Sequence, residues 1–413
     1  MLIRTAGSAL RTVSEILLPA LLLCTHLFLT IRLGFPQRHI RQGIADSVRG
    51  GGFSALAVQL AATLGVGNIV GIAAAVVSGG PGAVFWCWIS GTLGIAATYA
   101  EARMTLESRR GPDAGPWSAM SRHLGLFYAA VIAAGGLLIG SAIPASAISD
   151  ILTLPRPLSA VILTLVTAAA ALGGAAWLQR ACERIVPLIA LLYVCACTAI
   201  LLISRSCILW ALRAIFTGAF SPQAAAGGML GGLPVAAAVR YGVSRGLFSN
   251  EAGLGTAGIA AAALPPGDPH RQAMVSATAT FWDTTVFCGV TGLAFVSAVR
   301  FSSALPSDAA ALCAQAFSLI PGGKLLLQLC ILLLGLACIF GWCCIGMSAF
   351  RHAAARTPER LYACLWTAAA AAGALFPSES VFRVSDLLNA AAICPILYTL
   401  WRYYGLDSMI CTS

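Results

Sequence analysis

The sequence predicts an all-α membrane protein with about eleven transmembrane helices, and three observations support that prediction. Of its 413 residues, 59% are hydrophobic and only 10% are charged, whereas soluble domains carry about 25% charged residues. The mean hydropathy is +0.87. The apolar residues also fall into runs of about 20, the length of helix that crosses roughly 30 Å of hydrocarbon. A soluble fold of this size could not cover its surface with so few charges.

Eleven apolar runs follow one another along the chain, and each is predicted to be one membrane span. Their predicted limits are 16–33, 54–78, 81–106, 125–149, 158–177, 185–204, 229–263, 272–298, 324–350, 361–376 and 381–402. The first run follows Arg4 and Arg11, as the apolar part of a signal peptide would. Leu23, however, is not the small residue that a lipoprotein cleavage site needs before Cys24. We therefore interpret the first run as a retained helix.

Charge and cysteine content exclude several other classes of protein. The net charge is +10, but the basic residues stand singly between apolar runs rather than in a nucleic-acid-binding patch. Most of the 15 cysteines lie within apolar runs, where they are expected to pack as small hydrophobes without forming disulfides. There are five histidines and no CxxC pair, so no metal centre is predicted. No cofactor and no protein partner are predicted either. Ser249 has no histidine in a comparable run, which argues against an intramembrane enzyme.

The loops on the two sides of the membrane differ in their content of basic residues. One set of alternate loops carries fifteen arginines, and the other set carries eight basic residues. Lys and Arg accumulate on cytoplasmic loops. The N-terminus is therefore expected outside the cell and the C-terminus in the cytoplasm.

Two of the runs contain residues that a lipid-facing helix would avoid. The second run carries Thr63, Gly65, Gly67 and Asn68 at its centre, and the seventh contains Gly246-Leu-Phe-Ser-Asn-Glu-Ala-Gly-Leu-Gly255. Glycine costs about 1 kcal/mol in a helix interior relative to alanine, and polar residues at bilayer depth mark functional sites. Both runs are predicted to unwind at the midplane. The alternative is that the glycines only permit close packing of helices.

The two unusual runs occupy matching positions in the chain. They open two five-helix blocks, 54–204 and 229–402, which is the layout of a transporter with an inverted repeat. Free N–H and C=O groups at unwound ends would hold a substrate and a cation. The predicted segments are an N-terminal helix with a basic loop (1–50), a first repeat (51–205), an extracellular connection (206–228), a second repeat (229–402) and a cytoplasmic tail (403–413).

From about residue 50 to 402 the sequence resembles the alanine/glycine:cation symporter family (the sodium:alanine symporters), whose members share the LeuT-type fold. Two motifs carry the resemblance: Ala62-Thr-Leu-Gly-Val-Gly-Asn-Ile-Val-Gly71 and Arg245-Gly-Leu-Phe-Ser-Asn-Glu-Ala-Gly-Leu-Gly255. Weaker matches are Tyr99-Ala-Glu101, Glu183-Arg-Ile-Val-Pro187, Gly341-Trp342 and Asp386-Leu-Leu-Asn389.

The resemblance implies uptake of alanine or glycine in symport with a cation, Na⁺ or sometimes H⁺, by a multi-pass protein of the bacterial inner membrane. It implies that N–H groups near Gly67 bind the substrate carboxylate and that carbonyls near Thr63 and the Phe248-Ser249 turn bind its ammonium group. It also implies that Phe248 and Trp342 close a small side-chain pocket. The substrate-binding residues implied in this way are Thr63, Gly65, Val66, Gly67, Asn68, Phe248, Ser249, Asn250 and Trp342.

The chain departs from the family where the resemblance matters most. In the fourth run, Pro144 or Ala145 stands where the family has a glutamine that lines the substrate site. In the ninth run, Ala337 and Cys338 replace two hydroxyl residues that would complete a sodium site with Ala62 and Gly65, and Met347 stands where a glutamate is often found. Sodium prefers oxygen ligands, so sodium coupling, proton coupling and uncoupled exchange all stay open.

Other polar residues within the runs give less specific signals. Glu251 is predicted to form a structural or gating ion pair with Arg245, the alternative being a proton carrier. Asp283, and the face shared by Asp386 and Asn389, are expected to serve packing or gating. The two glutamates near Arg103 are expected to form a charge cluster at the membrane interface; they are Glu101 and Glu107.

Two further function classes are weighed against a transporter. A channel would need a continuous polar pore lining, and no filter motif is present. An inactive relative of the family would explain the altered cation and substrate positions.

Overall fold

In the computed structural model, which describes residues 17–49, 52–111, 114–152, 154–220, 235–376 and 378–406, every regular element is a helix. The α-helices are α1 (Leu18–Arg32), α2 (Ile40–Arg49), α3 (Phe53–Thr63), α4 (Val70–Gly79), α5 (Gly82–Glu107), α6 (Arg122–Ile151), α7 (Arg156–Gly174), α8 (Ala176–Ile203), α9 (Ile208–Phe220), α10 (Val235–Asn250), α11 (Thr256–Ala262), α12 (Pro269–Ser302), α13 (Ala309–Phe317), α14 (Gly323–Ala353), α15 (Glu359–Leu375) and α16 (Ser378–Trp401). Two of them contain π-helical turns, Leu138–Ala142 in α6 and Phe281–Cys288 in α12.

Six of the described helices are long and apolar enough to cross a membrane: α5, α6, α7, α8, α12 and α14. Two bent pairs raise the number to eight if each pair is one span. They are α1 with the segment 36–48, bent by 67°, and α3 with α4, bent by 64°. Each of the eleven predicted runs overlaps a described helix. The all-helical membrane fold is therefore confirmed, while the count of eleven spans stays a prediction.

The first predicted break lies between α3 and α4. The helix ends after Thr63, because Leu64 (ψ 89°) leaves the helical conformation and Gly65 is extended (φ −126°, ψ −170°). A single 3₁₀ turn, Val66–Asn68, then leads into α4. Because a glycine-rich stretch has a low propensity for helix, the chain changes direction here, as predicted from the sequence.

The second break is shorter than predicted and begins later. The sequence predicted unwinding from Gly246, but α10 stays helical through Asn250. A Cβ atom on Gly246 would lie 2.0 Å from Ser90 Oγ, so this glycine allows α10 to pack closely against α5. The true break is formed by Gly253 (φ 95°) and Gly255 (φ 87°), which adopt the left-handed conformation that glycine favours.

Two long, buried helices hold the breaks in place. The first, α5, packs against α10, α11 and α12, and the second, α14, packs against α3, α6 and α8. The two broken elements also pack on each other, since a Cβ on Gly79 of α4 would lie 3.0 Å from Tyr241 Cβ of α10. Both breaks are therefore enclosed within the helix bundle.

Several predicted segments differ from the described structure or fall outside it. A helix, α2, lies within the predicted basic loop, and α9 lies within the predicted extracellular connection. Residues 1–16, 221–234 and 407–413, which include parts of the predicted N-terminal segment, connection and tail, lie outside the described residues, as does the side chain of Asp386.

Candidate functional site

Asn68 closes the turn at the first helix break. The backbone N–H of Gly65 donates a hydrogen bond to Asn68 Oδ1 at 2.9 Å. This bond turns the amide nitrogen of Asn68 toward the interior, where the side chain is 1% exposed. Beside it, a Cβ built on Gly67 would have no atom of another described residue within 4 Å, its two chain neighbours apart. The backbone at Gly67 therefore faces open space, as a group that receives a ligand would.

A buried cluster of polar side chains joins the two broken helices to α12. The amide of Asn68 donates to Asp283 Oδ1 at 2.7 Å and to Ser249 Oγ at 3.0 Å. Ser249 and Thr284 both donate to Asp283 Oδ2, at 2.9 and 2.8 Å. Asn250 in turn donates to Thr284 Oγ1 at 3.0 Å. We call Asn68, Ser249, Asp283 and Thr284 the Asp283 cluster.

The π-helical turn of α12 explains how Asp283 reaches this position. A π turn inserts one extra residue into the helix and redirects the side chains around it, and such turns often occur at functional sites. Asp283 and Thr284 are consecutive, yet both point into the cluster and both are 0% exposed. Three donors satisfy the carboxyl group, which offsets the cost of burying it.

Side chains from three other helices hold the second break. Gly253 N–H donates to Glu101 Oε1 of α5 at 2.5 Å, and Tyr128 Oη of α6 donates to the Leu254 carbonyl at 2.8 Å. Trp342 Nε1 of α14 donates to Glu251 Oε1 at 3.0 Å. Glu251 itself has φ 55°, a left-handed conformation that costs a non-glycine residue about 1–2 kcal/mol. The surrounding helices therefore impose the shape of this turn.

The predicted ion pair between Arg245 and Glu251 is not formed in this arrangement. The ion pairs within 4.0 Å among the described residues do not include Glu251, which is bonded to Trp342 instead. Because α10 is helical through Asn250, six residues rotate the helix by about 240° and place the two side chains on different faces. Arg245 is exposed, and its stem approaches Gly71 of α4.

The predicted cation region is assembled, but its side chains supply no oxygen. Cys338 Sγ lies 3.4 Å from the Ala62 carbonyl, to which it donates. The same sulfur would lie 3.7 Å from a Cβ on Gly65. Ala337 is buried beside it at 1% exposure. The structure thus brings the four predicted residues together with a thiol in the place of a hydroxyl.

Trp342 lies against glycines of the fourth predicted run rather than against an open pocket. A Cβ on Gly140 would lie 2.1 Å from Trp342 Cβ, and one on Gly135 would lie 3.7 Å from the ring. Ala145 is fully buried, and the Pro144 carbonyl faces α14 near Gly335. This stretch therefore offers apolar packing where the family has a glutamine.

The remaining predicted substrate residues lie in or next to the helices that flank the two breaks. Thr63 is buried and donates to the Gln59 carbonyl at 3.2 Å. Val66 and Phe248 are half-buried, and Ser249 and Asn250 are buried at the end of α10. The structure therefore brings Asn68 and Ser249 into direct contact, at 3.0 Å.

Two acidic residues at the breaks were given other roles by the sequence. Asp283 was expected to serve packing or gating, and Glu101 to belong to an interfacial charge cluster. Glu101 is instead 0% exposed and faces the second break, while Arg103 and Glu107 form their own ion pair at 2.8 Å. A sequence signal existed, because Gly94, Thr98, Glu101 and Thr105 follow one another at spacings of four, three and four and so share one face of α5.

A small crevice is lined by residues of four helices. It has a volume of about 90 Å³ and lies between α3, α8, α11 and α14. Cys344, Ser348 and Arg351 line it. At its edge, Ser54 of α3 donates to Glu183 of α8 and accepts a hydrogen bond from Gln179. These three residues, which we call the α3–α8 latch, connect the first half-helix to the rest of the bundle.

Comparisons with known proteins give consistent results. The profile of the sodium:alanine symporter family matches residues 2–404. The chain is 35% identical to the sodium/alanine symporter AgcS of Methanococcus maripaludis, over 93% of this chain and 91% of that protein. It is 30% identical to the amino-acid carrier protein AlsT of Bacillus subtilis, over 65% of this chain and 61% of that protein.

A solved structure is similar in fold. A manganese transporter of Eremococcus coleocola superposes with a TM-score of 0.52 at 12% identity, over 84% of this chain and 74% of that one. At this identity the likeness concerns the arrangement of helices alone.

Proposed function

Because the chain belongs to the sodium:alanine symporter family, we propose that it takes up small neutral amino acids, alanine or glycine, in symport with a cation. Family membership makes it a multi-pass membrane transporter and not an enzyme. The proposed mechanism is alternating access around a site formed by the two helix breaks.

The observation that carries the proposal is the Asp283 cluster. It connects Asn68 at the first break to Ser249 at the end of α10 through hydrogen bonds of 2.7–3.0 Å. A ligand that enters the cluster would change the relative positions of the two breaks. Binding at this point would therefore move the half-helices that line the route through the bundle.

The substrate is proposed to bind on the open side of the first break. The exposed backbone at Gly67 supports binding of the carboxylate there, because free N–H groups at a helix start attract anions. The ammonium group would face carbonyl groups near Thr63 and the end of α10. Phe248, half-buried near the end of α10, would limit the size of the substrate side chain, and each added methylene would cost about 1–3 kcal/mol. Trp342 packs on Gly140 and donates to Glu251 instead.

The coupling cation is proposed to bind in the Asp283 cluster. The region at Ala337 and Cys338 offers a methyl and a thiol, which are poor sodium ligands. The carboxylate of Asp283 and the hydroxyls of Ser249 and Thr284 are oxygen donors of the kind that hard cations prefer. A single negative charge among neutral donors would balance one monovalent ion.

A second candidate is a proton-coupled or uncoupled carrier of alanine, D-alanine or serine. The thiol of Cys338 favours it, since it already donates to the Ala62 carbonyl that would otherwise face a cation.

The proposed architecture is a LeuT-type inverted repeat with units 51–205 and 229–402. The two broken elements, α3 with α4 and α10 with α11, support it, because each opens its unit and the two pack together. The proposed orientation places the N-terminus outside and the C-terminus in the cytoplasm of a bacterial inner membrane, with 206–228 outside.

Uptake of radiolabelled alanine into proteoliposomes tests the proposal. The purified protein is given an inward sodium gradient, an inward proton gradient, or neither. Concentrative uptake with sodium alone is expected. Equal, non-concentrative uptake in all three conditions would instead support the uncoupled carrier, and no alanine uptake by the folded protein would refute the substrate assignment.

A further inference from the structure

A second group of buried titratable side chains surrounds the second break on the side of α5. Glu101 Oε1 accepts the Gly253 N–H at 2.5 Å, and the backbone at Gly255 also faces this carboxyl group. The other oxygen of Glu101 is buried and has no hydrogen-bond partner among the described residues. Oε1 of Glu101 is therefore bound to the backbone of the break, while Oε2 is left to bind a proton.

His26 of α1 contacts the same turn. Its side chain is 0% exposed and faces the Ala252 backbone of this turn. A Cβ on Gly253 would lie 2.3 Å from Leu22 Cδ2 and 3.5 Å from His26 Nε2. The N-terminal helix that precedes the two repeats thus presents a titratable group directly to the second break.

The other titratable groups near Glu101 come from several elements. Tyr128 of α6 lies close enough to interact electrostatically with both Glu101 and Glu251. Glu251 interacts in turn with Asp283 of α12. From the segment after α16, Tyr404 Oη donates to the Ala100 carbonyl at 3.1 Å.

The charged neighbours on α5 point elsewhere. Arg103 pairs with Glu107 at 2.8 Å on the exposed side of α5 and also donates to Tyr99 Oη. Tyr99 is bonded in turn to His270 of α12. The ion pairs within 4.0 Å among the described residues do not include Glu101 or Glu251.

Glu101 and Glu251 lie in one apolar region, and ionising both carboxyl groups at the same time is unfavourable there. A buried carboxylate needs a cation or several hydrogen bonds to be stable, and interacting acids release their protons in linked steps. Glu251 has Trp342 as its donor, whereas Glu101 is bound to the backbone that forms the break. A change in the charge of Glu101 therefore acts directly on the geometry of the break.

We propose that Glu101 is a proton-binding site whose ionised form clamps the second helix break and whose protonated form releases it. A hydrogen bond to an ionised acceptor is roughly twice as strong as one to a neutral acceptor. Uptake of a proton from water converts the carboxylate to the acid and weakens the bond from Gly253, and return of the proton to water restores it. Glu101 lies six residues before the end of α5, about 9 Å along the helix axis.

Infrared difference spectroscopy at varied pH tests the proposal on the purified protein. The C=O band of a buried protonated carboxyl group is expected to appear as the pH falls. It is expected to be present in the unaltered protein and in Glu107→Gln, an exposed residue on the same helix, and absent from Glu101→Gln. If Glu101→Gln does not fold, Glu101→Asp with ¹³C-labelled aspartate is expected to show a shifted band that the unaltered protein with the same label, also carried by Asp283, does not show.

A transport measurement provides the second readout and rests on the proposed function. Alanine counterflow, which needs no ion gradient, is expected to change by up to about tenfold per pH unit on one side of the transition, the slope of a single proton. In Glu101→Gln the profile is expected to be flat. His26→Gln is expected to shift the profile while keeping the infrared band.

The outcomes separate the two proposals. A band that persists in Glu101→Gln assigns the proton to another acid and overturns the inference, and so does the absence of a band from every variant. Absence of alanine counterflow in the unaltered protein overturns the proposed function, and the infrared result then decides the role of Glu101 alone.

Discussion

At the scale of single residues, Asp283 carries the sharpest expectation. Asp283→Asn keeps the shape of the side chain but removes its charge. It also replaces one of the two oxygens, which accept hydrogen bonds from Asn68, Ser249 and Thr284, by an amide nitrogen. We expect the apparent affinity for sodium to fall by at least about tenfold, which corresponds to about 1.4 kcal/mol. Alanine uptake measured against sodium concentration checks this. Thr285→Val, two residues further along α12, is the matched control, and an equal sodium response in the two variants would contradict the assignment.

Cys338 offers the opposite experiment, a gain of function. Its sulfur lies 3.4 Å from the Ala62 carbonyl, so Cys338→Ser would place a hydroxyl oxygen at that point. Because sodium prefers oxygen to sulfur, we expect the apparent sodium affinity to rise by about threefold to tenfold, or ~0.7–1.4 kcal/mol. Cys330→Ser, at another buried cysteine of α14, controls for a general effect of the substitution. No difference between the two variants would mean that the Ala62 carbonyl takes no part in cation binding, and would leave the Asp283 cluster as the proposed site.

Sequence reasoning found one half of the candidate site and missed the other for a physical reason. Asn68 and Ser249 stood out because polar residues next to glycines are unusual in an apolar run, and the structure brings them together. Their partner Asp283 was recognisable as an acid within an apolar run. Its contact with Asn68 and Ser249 could not be predicted, because it depends on how α12 packs against the broken helices. Glu101 was misjudged because its neighbours Arg103 and Glu107 are exposed while it points inward.

At the scale of elements, apolar length and glycine content predicted where helices and breaks occur, but not what each glycine does. Gly253 and Gly255 adopt left-handed conformations, whereas Gly242 and Gly246 lie four residues apart on the face that packs against α5. Spacing alone does not distinguish these uses. The count of spans is equally hard to derive, because α3 has 11 residues and α4 has 10, each too short to cross a bilayer alone.

The packing role of Gly246 is directly testable. Gly246→Ala would place a methyl group 2.0 Å from Ser90 Oγ, so we expect a loss of about 1–3 kcal/mol in stability from overpacking. Thermal unfolding in detergent measures it. Gly71→Ala is the control, since its methyl group would meet Arg245 Cδ at an ordinary 3.7 Å and alanine favours the helix by about 1 kcal/mol. Equal melting temperatures for the two variants would refute the close contact.

At the scale of the whole molecule, the crevice and the α3–α8 latch give a testable prediction of which side of the bundle is accessible. Cys344 lines the crevice, and the arginine bias of the loops predicts that the crevice opens to the cytoplasm. A membrane-impermeant maleimide is therefore expected to label Cys344 in inside-out vesicles and not in right-side-out vesicles. The labelling that is lost in Cys344→Ser is the labelling of this cysteine, as distinct from that of the others. Labelling in right-side-out vesicles alone would reverse the predicted orientation.

The same assay tests whether the α3–α8 latch controls the opening. Ser54, Gln179 and Glu183 join the first half-helix to α8 by hydrogen bonds at the edge of the crevice. Such a bond contributes about 1 kcal/mol, so Glu183→Ala is expected to raise the labelling rate of Cys344 by about fivefold. The control is Asp150→Ala, which removes an exposed ion pair with Arg156 away from the crevice. If saturating alanine slows labelling of Cys344 more strongly in the unaltered protein than in Glu183→Ala, the latch and the substrate close the same crevice. An unchanged rate in Glu183→Ala would mean that α3 is held by its packing on α14 alone.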